Sequence, residues 1–212
     1  MANSSRKIKL NDRIQSTRSL EWFFIKSICD ESVNAHKKLQ GHPLFGTFSF
    51  SYDDFFTEAE VRDFWQTPKQ LASNLVERYG LEIDVASSNE NKVCELNFNR
   101  DDDALIQNWD KNSWCNPPYS DILPWVKKAL ASPVTTVMLL PMRTASPWFR
   151  ALTNDVRVNW YAFKGRVAFT PPPGVKPSSP RHDSGLFVIN DEKSYTGGFR
   201  GILDPKTGEQ VQ

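Results

Sequence analysis

The sequence predicts an α/β fold with a mainly parallel sheet and an antiparallel edge strand near the C-terminus. Helical patterns alternate with short apolar runs after residue 66, as they do where helices connect parallel strands. The run at 135–141 is continuously apolar, which is typical of a parallel strand buried on both faces. The last two predicted strands, 156–163 and 185–190, are joined by a loop without helical periodicity, so we expect them to pair antiparallel.

The first part of the chain does not show this alternation. We interpret residues 1–63 as an N-terminal extension and residues 64–212 as a single domain. Within the extension, apolar residues recur at helical spacing over 19–40, which predicts an amphipathic helix. Residues 41–65 are rich in aromatic side chains and have no periodic pattern.

The domain opens with a helix whose two ends are marked in the sequence. Thr67 is a good N-cap and Pro68 suits the first helical position. Gly80 is expected to end the helix, because glycine readily adopts the left-handed conformation found after helix ends. Between these signals the apolar residues form one stripe: Leu71, Ala72, Leu75, Val76 and Tyr79.

The remaining elements follow in alternation. A short strand is predicted at 81–86, and a second strand contains Trp114. A helix is predicted at 122–131, and Ser146 with Pro147 starts another short helix after the apolar strand.

Cysteine usage and hydropathy indicate the compartment. The three cysteines, Cys29, Cys94 and Cys115, are widely separated, and the chain has no C-x-x-C pair. This pattern suggests neither a disulfide framework nor a cysteine zinc site, and we expect no bound metal. No stretch approaches the length of a membrane span, and the N-terminus lacks the apolar core of a signal peptide. We expect a soluble protein of the cytoplasm, or of the host cytoplasm if a phage encodes it.

The small net charge of +1 hides a strong segregation. Residues 50–110 carry fourteen acidic against five basic side chains, a net charge of −9. Residues 111–181 carry ten basic against two acidic side chains, a net charge of +8. We interpret the second block as a surface for a polyanion, although segregation by chance remains the alternative.

The sequence WCNPPYSD at 114–121 opens this basic block. Two consecutive prolines fix φ at both positions, and they push the preceding residue towards extended geometry. The segment is therefore stiff and displays an amide, unpaired carbonyls and an aromatic ring. It is either an ordinary rigid turn or a site that grips a planar, hydrogen-bonding ligand.

Three features are expected to meet at one edge of the sheet. Asp84 ends the first strand, Asp102 and Asp103 precede Trp109, and the Asn-Pro-Pro-Tyr segment follows the strand with Trp114. Ligands of open α/β sheets bind beyond the carboxyl ends of the strands. We therefore expect one crevice lined by all three features.

A longer series of motifs resembles a known family, the phage-type DNA N6-adenine methyltransferases or phage Dam family. Asn116-Pro117-Pro118-Tyr119 is similar to the catalytic signature of amino-methyltransferases that use S-adenosylmethionine. The resemblance covers residues 64–190 and follows the family order in WQTPKQL (65–71), GLEIDVASSNEN (80–91), DDALIQNW (102–109), WCNPPYS (114–120), PWVKKA (124–129), VMLLPMRTASPWF (137–149) and FKGRVAF (163–169).

The resemblance implies a Rossmann-like methyltransferase fold that methylates the N6 amine of adenine in a base flipped out of duplex DNA. The catalytic residues would be Asn116, Pro117, Pro118 and Tyr119. The oxygen of Asn116 and the carbonyl of Pro117 would accept hydrogen bonds from the amine, and Tyr119 would stack on the base. The target sequence GATC is only what the family name suggests, and a homodimer is possible.

The resemblance also implies where S-adenosylmethionine binds. Asp84 and the 85–88 turn would lie beside it, although the turn lacks the usual glycine and has Val85 where the family commonly has proline. Thr67 and Pro68 are equally explained as a helix start, and Asp102 and Asp103 as a solvated turn. The predicted cofactor-binding residues are Gln66, Thr67, Pro68, Asp84, Ala86, Ser87, Asp102 and Asp103.

Contacts with DNA are expected from cations near the site and from the proline-rich loop at 170–182. The predicted DNA-binding residues are Arg143, Lys164, Arg166, Lys176 and Arg181. The alternatives are a catalytically silent DNA-binding or partner-binding descendant of the fold, or an enzyme that methylates RNA or protein glutamine. The intact Asn-Pro-Pro-Tyr segment favours an enzyme, and the basic block favours a nucleic acid.

Overall fold

The computed structural model describes residues 65–89, 91–99, 101–171, 180, 182–191 and 197–211. The predicted helix at 19–40 and the aromatic-rich stretch that follows it lie outside the described residues. Lys176 and Arg181, two of the predicted DNA contacts, also lie outside them.

Helices and strands alternate along the described residues, as expected for an α/β domain. The helices are α1 (Lys69–Tyr79), α2 (Leu123–Ala131) and α3 (Pro147–Thr153). The strands are β1 (Ile83–Asp84), β2 (Leu96–Asn97), β3 (Ser113–Cys115), β4 (Thr136–Pro141), β5 (Val158–Phe163), β6 (Ser184–Ile189), β7 (Gly198–Leu203) and β8 (Gln210–Val211).

The strands form one mixed eight-stranded sheet in the order β2-β1-β3-β4-β6-β5-β7-β8. β1 pairs in parallel with β2 and β3, and the pairs β3–β4 and β5–β7 are also parallel. β6 runs antiparallel to both β4 and β5, and β8 runs antiparallel to β7. The predicted α/β class is therefore confirmed, and its sheet is mixed.

The position of β6 corrects part of the fold prediction. Its antiparallel pairing with β5 is confirmed, but β6 lies between β4 and β5 and not at an edge. Every residue of β6 is buried, and a strand that is apolar on both faces is stabilised by neighbours on both sides. The antiparallel strand at the edge is β8, which the sequence patterns did not predict.

The signals at the two ends of α1 had different outcomes. Gly80 caps the C-terminus with φ of 57° and ψ of 45°, as predicted. At the N-terminus the cap is Pro68 and not Thr67, and no side chain donates to or accepts from the first turn there. The helix begins one residue later than its sequence signal, which leaves the Thr67 hydroxyl available for other contacts.

Apolar side chains pack on both faces of the sheet. One face is covered by α2 and α3, which contribute Val126, Trp148 and Leu152 to its core. The other face is covered by α1. Its Leu71 and Leu75 are fully buried and pack in the same core cluster as Leu139 of β4. Among the described helices, none is long and apolar enough to cross a membrane.

Truncating α1 in the core should destabilise the domain. Leu75→Ala removes a fully buried side chain and leaves a cavity, so we expect the free energy of unfolding to fall by about 2–5 kcal/mol. Ser73→Ala, at an exposed position of the same helix, is the matched control and should change stability by less than about 0.5 kcal/mol. Urea unfolding followed by circular dichroism measures both. Equal stabilities for the two variants would contradict the packing of α1 on the sheet.

Candidate active site at the carboxyl ends of the strands

Parallel pairing gathers the candidate residues at one edge of the sheet. Asp84 is the last residue of β1, and Asn116 directly follows β3. β4 ends at Pro141, one residue before Met142 and two before Arg143. Because β1, β3 and β4 are parallel neighbours, their carboxyl ends open onto the same side.

Asp84 is turned inward and organises the loop that follows it. Its side chain is buried, and the whole residue is only 3% exposed. Its Oδ1 accepts a hydrogen bond from the backbone N–H of Ala86 at 3.1 Å, and its Oδ2 accepts one from Val93 at 3.1 Å. The carboxylate thereby ties both ends of the 85–93 loop to the end of β1.

Burial also changes the acidity of this group. Loss of water contact raises the pKa of Asp84 to about 6, and the two backbone donors, Val93 and Ala86, act in the opposite direction. The charged form is therefore disfavoured by its surroundings and is held at neutral pH mainly by backbone hydrogen bonds. The loop and the carboxylate depend on each other.

Two further predicted cofactor residues belong to this loop. Ala86 and Ser87 are both half-buried, and the backbone N–H of Ser87 donates to the carbonyl of Phe98 at 3.4 Å. The N–H of Ser88 donates to the Asn91 side chain at 2.6 Å. Small side chains and internal hydrogen bonds let this turn form without the glycines usual in such loops.

The carboxylates at 102–103 lie on a separate, exposed turn. Oδ2 of Asp102 accepts a hydrogen bond from the backbone N–H of Asn99 at 2.8 Å, which closes the turn. Asp103 has a positive φ of 48° and is exposed. No hydrogen bond or ion pair joins either residue to Asp84 within the described part of the chain, so their role towards a ligand stays a prediction.

The two ends of the Asn116 amide differ in their hydrogen bonding. Its Nδ2 donates to the Thr67 hydroxyl at 3.4 Å. Its Oδ1 is buried, and no hydrogen bond from the described residues reaches it. Pro117 is buried and Pro118 half-buried, so the rigid segment is held against the protein. The segment therefore carries one buried amide oxygen that no hydrogen bond from the described residues satisfies.

Two contacts hold the side chain of Tyr119 in place. Its hydroxyl donates to the carbonyl of Leu139 at 3.3 Å, and the ring of Phe169 meets it edge-on with centroids 6.4 Å apart. Burial raises the pKa of the Tyr119 phenol far above its usual value, whereas nearby Arg143 acts in the opposite direction. The phenol therefore stays neutral, and its ring orientation is set before any ligand binds.

Phe169 was not among the predicted site residues, and backbone pairing explains how it arrives there. Gln66 and Thr170 form an antiparallel bridge with two N–H to carbonyl bonds of 2.9 Å. The bridge holds the segment that carries Thr67 next to the segment that carries Phe169. The only sequence signal was that Phe169 ends the FKGRVAF stretch, because no periodicity connects residues so far apart.

Three of the predicted DNA-contacting cations lie at the same edge. Arg143 follows β4, whereas Lys164 and Arg166 follow β5, which runs parallel to β4 because both are antiparallel to β6. Lys164 is exposed, and Arg166 forms an exposed ion pair with Asp183 at 3.5 Å. In the described part of the chain, no group of three or more His, Cys, Asp or Glu side chains is arranged to hold a metal ion.

Comparison with known proteins gives a consistent result. The family described as DNA N-6-adenine-methyltransferase (Dam) matches residues 55–202. The DNA N-6-adenine-methyltransferase of Escherichia phage T1 is 38% identical over 133 residues, which cover 53% of this chain and 56% of the phage protein. The protein of the same name from Haemophilus phage HP1 (strain HP1c1) is 25% identical over 120 residues, covering 53% of this chain and 69% of that protein.

The match to the phage T1 relative is partial in length, since the chain spans little more than half of that protein. No solved structure matches the chain.

The stability contributed by Asp84 should depend on pH in a defined direction. Its native pKa of about 6 lies above the ordinary value of 3.8, so the native state keeps a proton that the unfolded state has released between these pH values. This contribution is fully present below about pH 4 and is lost as pH rises through 6. Relative to Asp84→Asn, we expect the free energy of unfolding of the wild type to fall by roughly 3 kcal/mol at most between pH 4 and pH 7.

Chemical unfolding at several pH values tests this expectation, with Asp84→Asn as the reference that cannot ionise. Asp103→Asn, at an exposed position, controls for removing a carboxylate from the acidic segment. A difference between the wild type and Asp84→Asn that stays constant from pH 4 to pH 7 would contradict the burial of this charge.

Proposed function

Because the chain belongs to the DNA N-6-adenine-methyltransferase (Dam) family, we propose that it transfers a methyl group from S-adenosylmethionine to the N6 amine of adenine in duplex DNA. The observation that carries the proposal is the buried oxygen of Asn116, which has no hydrogen-bond partner among the described residues. It lies on a rigid segment at the carboxyl end of β3.

The chemistry of the amine explains what this oxygen would do. The lone pair of an exocyclic adenine amine is delocalised into the ring, so the amine is a weak nucleophile. Oδ1 of Asn116 and the carbonyl of Pro117 can both accept its hydrogens, which draws the nitrogen towards tetrahedral geometry and directs its lone pair outward. Since Pro117 and Pro118 restrict the backbone, these acceptors are oriented before the substrate arrives.

Neutral acceptors also suit the charge that develops. An amine that gains a methyl group is positively charged until it loses a proton, and the two oxygens carry the negative ends of their dipoles towards it. The neutral phenol of Tyr119 offers its ring for stacking against the base. The target base must leave the duplex first, because its amine is otherwise paired.

S-adenosylmethionine would supply the electrophilic methyl group. The residues that would hold it are the 85–93 loop, tied to β1 by Asp84, and the segment of Gln66, Thr67 and Pro68. Their fit is supported by the half-buried small side chains of the loop and by the contact of Thr67 with Asn116, which puts the two ligand sites side by side. A carboxylate of the 102–103 turn is proposed for the adenosyl part.

Duplex DNA as the substrate is supported by the cations that share the edge with Asn116. Arg143, Lys164 and Arg166 would meet phosphates beside the flipped base. Lys176 and Arg181 extend this proposal to the 170–182 loop on the sequence alone.

Direct assay of methyl transfer tests the proposal. Purified protein and S-adenosylmethionine are incubated in three separate reactions. The first contains duplex DNA, the second RNA of the same sequence, and the third a glutamine-containing protein. Digestion and mass spectrometry identify the methylated product. The proposal requires N6-methyladenine from the duplex. Methylation of RNA or glutamine alone, or no methylation of any substrate, would overturn it.

Asn116→Ala should lower kcat by about a hundredfold or more, because one aligned acceptor is lost from a desolvated site. Its affinity for S-adenosylmethionine, measured by calorimetry, should remain within about twofold of the wild type. Asn112→Ala, at the residue that precedes β3, is the matched control and should retain wild-type kcat. Near-normal turnover by the Asn116 variant would remove this residue from the mechanism.

Binding to duplex DNA should depend steeply on salt, and Lys164 should account for part of that dependence. Lys164→Gln should reduce the slope of log affinity against log salt by about 1, the value for one phosphate contact. Lys111→Gln removes the same charge at the opposite edge of the sheet, beside Glu82, and should leave the slope unchanged. Fluorescence anisotropy with a labelled duplex measures both. Equal slopes for the two variants would exclude Lys164 from the DNA surface.

A further inference from the structure

We propose that Thr67 is a positioning residue that fixes the amide of Asn116 with its oxygen towards the substrate. The inference rests on the proposed function for its catalytic consequence, but its structural part can be measured without activity. It assigns to Thr67 a role other than the contact with the cofactor proposed above.

The two ends of the Asn116 amide are alike in shape but opposite in chemistry. Oδ1 can only accept hydrogen bonds, whereas Nδ2 can only donate them. An adenine amine also donates, so it pairs with Oδ1 and not with Nδ2. A rotation of the amide by 180° would set the NH₂ group of Asn116 against the adenine amine, so that two donors face each other, and would bring Oδ1 to the Thr67 hydroxyl.

In the structure the Thr67 hydroxyl is paired with the nitrogen of the amide, the end that a donating substrate cannot use. It accepts a hydrogen bond from Nδ2 at 3.4 Å, and this leaves Oδ1 as the buried atom without a partner. Without that acceptor, turning Oδ1 towards the substrate would leave Nδ2 unpaired in a desolvated site. Such a loss costs free energy whenever the amide is productive.

Thr67 is itself held in place from both sides. Its neighbour Gln66 is bound to Thr170 by two backbone hydrogen bonds of 2.9 Å. On the other side, the carbonyl of Pro68 accepts from the N–H of Ala72 at 2.9 Å in the first turn of α1. Thr67 is only 8% exposed, so its hydroxyl has little room to move away from the amide.

The same bridge reaches the other end of the catalytic segment. Phe169, next to Thr170, packs edge-on against Tyr119. The Gln66–Thr170 bridge therefore positions both Thr67, which contacts Asn116, and Phe169, which contacts Tyr119. The segment that presents the acceptor and the ring is buttressed at its two ends by one pair of backbone hydrogen bonds.

Two substitutions separate the hydroxyl from the shape of the side chain. Thr67→Val keeps the volume and removes the acceptor, whereas Thr67→Ser keeps the acceptor. Thr136→Val is the matched control, because Thr136 is fully buried and its hydroxyl has no hydrogen-bond partner in the described residues. Thr136 is the first residue of β4, so it lies at the end of the strands opposite to Asn116.

Three measurements are compared. Steady-state kinetics separate kcat from KM for DNA and for S-adenosylmethionine. The side-chain ¹⁵N–¹H resonances of Asn116, identified by their loss in Asn116→Ala, report on the amide in the free protein. A double-mutant cycle combines Thr67→Val with Asn116→Ala.

We expect Thr67→Val to lower kcat about tenfold with both KM values nearly unchanged, and Thr67→Ser to recover most of it. The Asn116 amide signals should shift and exchange faster in Thr67→Val but not in Thr136→Val. In the Asn116→Ala background, Thr67→Val should have no further effect on kcat.

The opposite results are equally specific. A raised KM for S-adenosylmethionine with unchanged kcat would assign Thr67 to the cofactor instead, and unaltered Asn116 signals in Thr67→Val would disprove the contact. If the wild type methylates nothing, the proposed function fails, while the amide signals still decide whether Thr67 orients Asn116.

Discussion

Parallel pairing of three short strands is the constraint on which the site depends. β3 lies between β1 and β4, and the register places Asp84 beside Trp114 and Cys115 beside Met138. The residue after Cys115 is Asn116, so its position relative to the Asp84 loop is set by backbone hydrogen bonds and not by side chains. A shift of β3 by one residue would turn its side chains to the opposite faces and move Asn116 away from Thr67.

Buried polar atoms without partners occur at both edges of the sheet, but their surroundings differ. The Thr136 hydroxyl is buried at the start of β4, at the end of the sheet away from Asn116. The Asn116 oxygen belongs to a segment stiffened by two prolines, and Arg143 follows the neighbouring strand β4 at the same end of the sheet. An unpaired atom alone therefore says little about function. It becomes informative where rigid geometry and a polar approach surround it, since an incoming donor can then compensate its burial.

Sequence patterns predicted the elements whose cause is local. The apolar run of β4, the glycine cap of α1 and the alternation of helix and strand each depend on neighbouring residues. β2, β7 and β8 were missed. β2 and β8 have only two residues each, and β7 contains Gly198 and Gly201 with φ of 105° and 137°. Glycines at such angles interrupt the alternation by which a strand is recognised.

Long-range contacts explain what the sequence could not show about the site. Patterns placed Asp84 and Asn116 at strand ends, yet they could not predict that Val93 closes the Asp84 loop or that Thr67 meets Asn116 across 49 positions. The N-cap signal at Thr67 illustrates the difference. A threonine before a helix is ordinarily explained by capping, but here Pro68 takes the cap and the hydroxyl contacts the Asn116 amide. The same residue type satisfies a local rule in sequence and a distant requirement in the fold, and only the fold decides between them.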